Sequence, residues 1–193
     1  SLEDLADHTP TWVEPICAEY HGVRLYECPP NGQGIVALMA LNILKGFDLA
    51  GLGHNSADYL HVLVEALKLA FADAQRHVTD PDHYAVPVEQ MLSEDYAAQR
   101  RRELDLERAS PAPRSGIPIS GDTVYVTAAD GEGNVVSLIN SLFQGFGSHM
   151  VVEGTGICLQ DRGMGFSLDP GHPNCVAPHK RPYHTIIPAM VIG

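Results

Sequence analysis

Gly121-Asp122-Thr123-Val124-Tyr125-Val126-Thr127-Ala128-Ala129-Asp130, then Gly131-Glu132-Gly133-Asn134, then Val135-Val136-Ser137-Leu138-Ile139-Asn140, is the stretch from which the fold is read. The first run is rich in β-branched and aromatic residues. The Asp-Gly-Glu-Gly-Asn segment supplies residues that tolerate positive φ, and the second apolar run returns, so the pattern predicts strand, tight turn, strand. Thr123 opens the first strand directly after Gly121-Asp122, and before it lies a Pro/Ser/Arg-rich linker, Ala109 to Pro118, whose composition cannot pack. Thr is common in strands, so it can be an ordinary strand-opening residue. The placement also suits a specific chemistry. Cleavage of the Asp122–Thr123 bond would give Thr123 a free α-amine beside its hydroxyl. Such an amine, with a pKa of about 7.7–8, is partly unprotonated at neutral pH and can act as base for its own nucleophile.

Upstream, Pro15 to Tyr20 and Val23 to Cys28 predict a hairpin around His21-Gly22, and Ile35 to Leu44 a buried helix. Gly32-Gln33-Gly34 lacks the following Lys-Ser/Thr of a phosphate loop and is read as a tight entry turn into that helix. Ser56 caps a helix running to about His77. Its core face is expected along Leu60, Leu63, Val64, Leu67, Phe71 and Ala74, with Glu65 and Lys68 on the other side. Val88 to Glu107 is expected to be helical, with Arg100-Arg101-Arg102 as surface salt-bridge partners. Gly156 to Gln160 and Thr185 to Ile192 predict further strands. Helices first and strands later indicate an α/β (α+β) fold in layers, antiparallel strands flanked by helices.

The chain has 193 residues, 45% of them hydrophobic and 19% charged, enough for one compact core. A net charge of −12 argues against a nucleic-acid partner, which needs a basic face. No apolar run approaches the roughly 20 residues of a membrane span. Four widely spaced cysteines, Cys17, Cys28, Cys158 and Cys175, are too sparse for a disulfide scaffold and are read as mostly buried thiols. His61 and Glu65 lie one turn apart but have no third metal ligand. His172, Cys175, His179 and His184 carry suitable atoms, yet their spacing matches no standard zinc pattern. Neither metal nor cofactor is expected.

Gly121-Asp122-Thr123-Val124-Tyr125, the Asp130-x-x-x-Asn134 turn, Phe146-Gly147, Gly154-Thr155-Gly156-Ile157 and Lys180-Arg181-Pro182 occur in this order. So do Pro29-Pro30-Asn31-Gly32-Gln33-Gly34, Leu41-Asn42-Ile43-Leu44, Ala70-Phe71-Ala72-Asp73 and Asp80-Pro81-Asp82 upstream. Together they resemble the γ-glutamyltranspeptidase family of N-terminal-nucleophile hydrolases, over nearly the whole chain. The resemblance implies part of an αββα four-layer sandwich and a precursor that cleaves itself before Thr123. Residues 1–122 would end the large-subunit region and residues 123–193 begin the small one. The partners implied are a small-molecule γ-glutamyl (glutathione-type) or related acyl amide and the rest of the precursor, as a large/small subunit heterodimer. The compartment implied is the periplasm or cytoplasm of a bacterium. The oxyanion-hole residues are expected beyond Gly193, so the isolated chain is expected to be inactive.

By the same resemblance, Thr123 is the nucleophile and Ser141 the second hydroxyl beside it. The family's next asparagine falls on Phe143. Its two acids, which hold the α-ammonium of a γ-glutamyl group, fall on Arg162 and Gly165, and its Ser-Ser carboxylate receptor on His184-Thr185. The lid loop, between Phe166 and Lys180, is much shortened. An arginine where an acid stood favours a carboxylate, so the alternatives to a γ-glutamyl enzyme are a glutaryl-type (cephalosporin-acylase-like) amidohydrolase or a non-catalytic, unprocessed structural fragment.

Overall fold

The computed structural model describes residues 2–111 and 123–193. The expected linker from Ala112 onward and the Gly121-Asp122 pair lie outside the described residues. A short helix, α1 (Leu2–Ala6), precedes the hairpin β1 (Ile16–Tyr20) and β2 (Val23–Glu27). Its turn is His21-Gly22, both at positive φ, which is why glycine follows histidine there. The helices follow: α2 (Gly34–Leu44), α3 (Ala57–His77), α4 (Val88–Met91) and α5 (Glu94–Arg101). Then come the hairpin β3 (Thr123–Ala129) and β4 (Val135–Ser141), the short pair β5 (Val151–Val152) and β6 (Ile157–Cys158), a 3-10 turn at Arg162–Gly165, and β7 (Met190–Ile192).

Helix α2 is apolar apart from Asn42, and it is buried all round: Ile35, Leu38, Met39 and Ile43 are inaccessible or nearly so. It packs against α3 and α5 and against the antiparallel sheet β1-β2-β7. Last in the chain, β7 joins β2 with Leu25 opposite Val191. The sheet therefore draws on both ends of the chain.

Five expectations are corrected, three on helices and cysteines and two on strands. The buried face of α3 is Val62, Ala66, Ala70, Asp73 and Ala74, with Glu65; of the expected leucines, Leu63 is half-buried and packs against the core. Leu60, Val64, Leu67 and Phe71 are exposed, and only Ala74 of the expected set is fully buried. Alanines occupy this face where α3 packs against α2, whose buried side chains are apolar apart from Asn42. Glu65 is satisfied inside by Lys68 Nζ at 2.6 Å and by the amide of Ser110 at 3.1 Å. The helix expected over Val88 to Glu107 breaks at Ser93, whose hydroxyl accepts the Tyr96 amide at 3.2 Å and caps a new helix. The four cysteines are free thiols but not buried: Cys17 and Cys28 are exposed, Cys158 and Cys175 half-buried.

The strand expected from Thr185 onward is confined to Met190–Ile192. Residues 182–185 bond instead to the Pro29–Gly34 turn, and Pro188 has no N–H for a ladder. Similarly, only Ile157–Cys158 of the expected Gly156–Gln160 run is strand. Among the described residues no helix is long and apolar enough to cross a membrane.

Candidate active site

The β3–β4 turn fixes what lies opposite Thr123. The Asp130 carboxylate accepts the amides of Glu132 and Asn134, both at 2.9 Å, and the Asn134 side-chain amide at 2.7 Å. With the turn held, the ladder runs in register from Ala129–Val135 to Thr123–Ser141. The backbone of Thr123 thus stands directly across from Ser141, at the open end of the hairpin.

Ser141 then turns the chain. Its hydroxyl accepts the Phe143 amide at 2.9 Å, and Phe143 takes a positive φ of 81°. Its ring is buried beneath the Arg162 guanidinium, 5.3 Å from carbon to ring centroid, a cation–π contact. Asp161 ties the two loops together. Its amide donates to Leu142 O at 3.2 Å, and its carboxylate accepts the Gln144 amide at 3.1 Å.

Arg162 is 4% exposed. Nη1 donates to Thr185 Oγ1 at 2.6 Å, its backbone N–H to Gln160 Oε1, and Nη2 is buried with no partner. Burial lowers the guanidinium pKa and the charge of Asp161 opposes this; an arginine remains a cation regardless. It borders a cavity of about 300 Å³ with apolar walls from Val78, Phe143, Met164, Phe166 and Tyr183. Its polar lining is Arg162, Gln75, Ser167, His172, Asn174 and Thr185, with no acidic side chain among the described residues. Asn174 is fully engaged: it donates to Gly165 O and accepts from Thr79 Oγ1 and the Tyr183 amide. Gly165 sits in the same wall, and a Cβ there would come within 3.1 Å of Tyr183 O.

Of the expected substrate-binding residues, Arg162 and Thr185 meet. His184 lines a second, larger cavity with Asn31, Asp82 and His179. Burial, and then the charge of Arg162, pushes its pKa down to about 4, so it is neutral at pH 7. Among the described residues no cluster of three His, Cys, Asp or Glu is placed to hold a metal ion.

Two arrangements had no signal in the sequence. Asp80 is 1% exposed and receives the Arg181 amide at 2.8 Å, Nε at 3.2 Å and Nη2 at 2.9 Å. The Pro29–Gly34 turn grips residues 182–185. Asn31 Nδ2 donates to Pro182 O at 2.6 Å, and Asn31 O accepts the His184 amide. The Gln33 amide donates to His184 O, and its side chain engages Thr185 and Tyr183. These residues are over 100 positions apart, and nothing in either segment names its partner.

The family profile described as Gamma-glutamyltranspeptidase matches residues 1–193. The glutathione hydrolase-like YwrD proenzyme of Bacillus subtilis (strain 168) is 41% identical over 191 residues, covering 99% of this chain and 36% of that protein. Acylase ACY 1 proenzyme of Pseudomonas sp. (strain SE83) is 37% identical over 192 residues, covering 98% of this chain and 34% of its own length. Among solved structures, cephalosporin acylase from Bacillus halodurans superposes with a TM-score of 0.88 at 51% identity, over 98% of this chain and 34% of that one. The chain spans about a third of the length of the curated relatives it matches.

Proposed function

Because the chain belongs to the gamma-glutamyltranspeptidase family, we propose that its full-length protein is an N-terminal-nucleophile amidohydrolase or acyltransferase acting on amides of acyl groups that end in a carboxylate, glutaryl being the type. Residues 1–122 are then the end of a large-subunit region and 123–193 the start of a small one, separated by self-cleavage before Thr123. Thr123 Oγ attacks the acyl carbon while its α-amine takes the hydroxyl proton. The carbon–nitrogen bond breaks, and the proton passes to the departing amine. Water, deprotonated by the same α-amine, releases the acid from the threonine ester and restores the hydroxyl. Ser141, across the ladder, is the second hydroxyl of the site.

The observation that carries the substrate class is Arg162, a buried cation with one nitrogen unpartnered beside an apolar cavity. A carboxylate entering there adds to the charge of Asp161 and accepts a charge-assisted bond from the unpartnered nitrogen. The second reading is a γ-glutamyl donor, which relatives named as glutathione hydrolases favour. Its ammonium would meet Arg162 with no acid among the described cavity residues to hold it. At 4 Å and an effective dielectric of 20 that repulsion is about 4 kcal/mol before screening.

The test is kcat/KM for matched glutaryl and γ-glutamyl anilides on matured full-length protein, with intact mass to follow cleavage. Glutaryl is expected to react at least as well as γ-glutamyl. Thr123→Ala is expected to abolish cleavage and hydrolysis, and Thr123→Ser to keep some of each. Normal processing of the alanine variant would remove the nucleophile assignment; a strong γ-glutamyl preference would remove the acyl-group assignment.

A further inference from the structure

We infer that Gln33, which does not line the cavity, is a positioning residue that sets the acyl-carboxylate selectivity of the pocket through Thr185 and Arg162. The inference rests on the reading of Arg162 as carboxylate receptor. The Gln33 side-chain amide spans two residues of the pocket wall. Nε2 donates to Thr185 O at 2.7 Å and Oε1 accepts the Tyr183 hydroxyl at 3.2 Å, while the Gln33 backbone amide donates to His184 O at 2.8 Å. Three consecutive residues, Tyr183 to Thr185, are therefore held by one. Thr185 in turn carries the hydroxyl that fixes Arg162 Nη1 at 2.6 Å. That bond and the stacking on Phe143 leave Nη2 as the free corner of the guanidinium.

Geometry makes the dependence steep. The Arg162 side chain is long and has several soft torsions; it is useful as a receptor only if held before the substrate arrives. Thr185 is the single side chain bonded to its guanidinium among the described residues. Residues 182–185 form no sheet ladder beyond a single bridge of His184 to Gly32, so their position depends on the Pro29–Gly34 turn and on Asn174, which accepts the Tyr183 amide. An amide at position 33 satisfies both a carbonyl and a hydroxyl because it offers a donor and an acceptor side by side. A carboxylate keeps the acceptor and loses the donor. A methionine of similar length loses both.

The experiment uses matured full-length protein and two matched donors, glutaryl and pentanoyl 4-nitroanilide, the second having the same chain without the carboxylate. Gln33→Met is expected to raise KM for the glutaryl donor about tenfold, to leave its kcat within about threefold, and to leave the pentanoyl KM unchanged. Gln33→Glu is expected to show the same defect at pH 8. The defect relative to wild type shrinks as pH falls and the new carboxyl gains a proton it can donate to Thr185 O. Equal loss on both donors, or no change on either, would overturn the inference, as would a Gln33→Glu defect independent of pH. A crystal structure of Gln33→Met supplies a readout free of any substrate: the Arg162–Thr185 bond is expected to be lost, and its retention at the same length refutes the positioning role. Failure of the Arg162 reading shows itself separately, as wild-type protein that does not prefer glutaryl over pentanoyl.

Discussion

Arg162 keeps a guanidinium inside the protein with one of its nitrogens unbonded, and this has a consequence for stability as well as for selectivity. Burying this charge costs free energy that Asp161 offsets in part and that a bound carboxylate would offset further. Arg162→Met removes that cost in the empty protein, against the loss of one hydrogen bond to Thr185 and the contact with Phe143. It is expected to raise the unfolding free energy by about 1 kcal/mol or more. The same change removes a charge-assisted bond and lowers kcat/KM for a glutaryl donor by about tenfold to a hundredfold. Thermal denaturation and steady-state kinetics on one preparation check both; a variant less stable than wild type shows that the guanidinium is satisfied in the absence of ligand. The sequence singles out Arg162 because it falls where the family resemblance implies an acid. Its bond to Thr185 and its stacking on Phe143 were not legible, since neither residue type announces an arginine partner.

At the scale of elements, the hairpins and the two long helices follow from local chemistry: His21-Gly22 and Asp130 to Asn134 as turns, Ser56 as cap, an apolar run for α2. Periodicity misjudged α3 because the helix has two apolar stripes, and the larger side chains are not on the buried one. Val62, Ala66 and Ala70, one turn apart, face the core, while Leu60, Val64 and Leu67 are exposed. Reading a helix by its bulkiest apolar residues favours the leucine stripe; the face that packs against α2 carries small residues instead. Ala70, 0% exposed and within the cluster of Ile35, Val36 and Met39, is therefore the sensitive position. Ala70→Leu is expected to destabilise by about 1–3 kcal/mol through overpacking. In the chain of residues 1–193, where Leu67 is exposed, Leu67→Ala is expected to cost less than a buried leucine, about 0.5 kcal/mol or below. Chemical denaturation with matched m-values ranks the two, and a Leu67→Ala cost larger than that of Ala70→Leu inverts the assignment of faces.

The whole molecule joins helices to antiparallel strands, the mixed α/β arrangement of the N-terminal-nucleophile αββα sandwich, and each half buries a group whose ionisation changes on folding. Glu27, at the end of β2, is 2% exposed with Oε2 unpartnered, and burial pushes its pKa up from 4.5 to about 7. His184, bonded into the Pro29–Gly34 turn, is pushed down from 6.5 to about 4, by burial first and Arg162 second. The signs are opposite. Between pH 4.5 and 7 the folded protein holds the Glu27 proton more tightly than the unfolded chain, so this contribution is full below 4.5 and is lost as pH rises through 7. Between pH 4 and 6.5 the unfolded chain holds the His184 proton more tightly, so that contribution is full above 6.5 and is lost as pH falls through 4. Each limb is worth at most about 3 kcal/mol. They overlap from pH 4.5 to 6.5 and nearly cancel, and from this pair alone the wild-type unfolding free energy is expected to be flat there. Removing one partner exposes the other. Glu27→Gln is expected to gain stability with rising pH across that window, and His184→Gln to lose it over the same interval and on to pH 7. Denaturant unfolding of full-length protein at half-unit steps from pH 4 to 8 reads both slopes. Parallel slopes in the two variants, or a wild-type profile as steep as either, mean that the two groups do not titrate against each other.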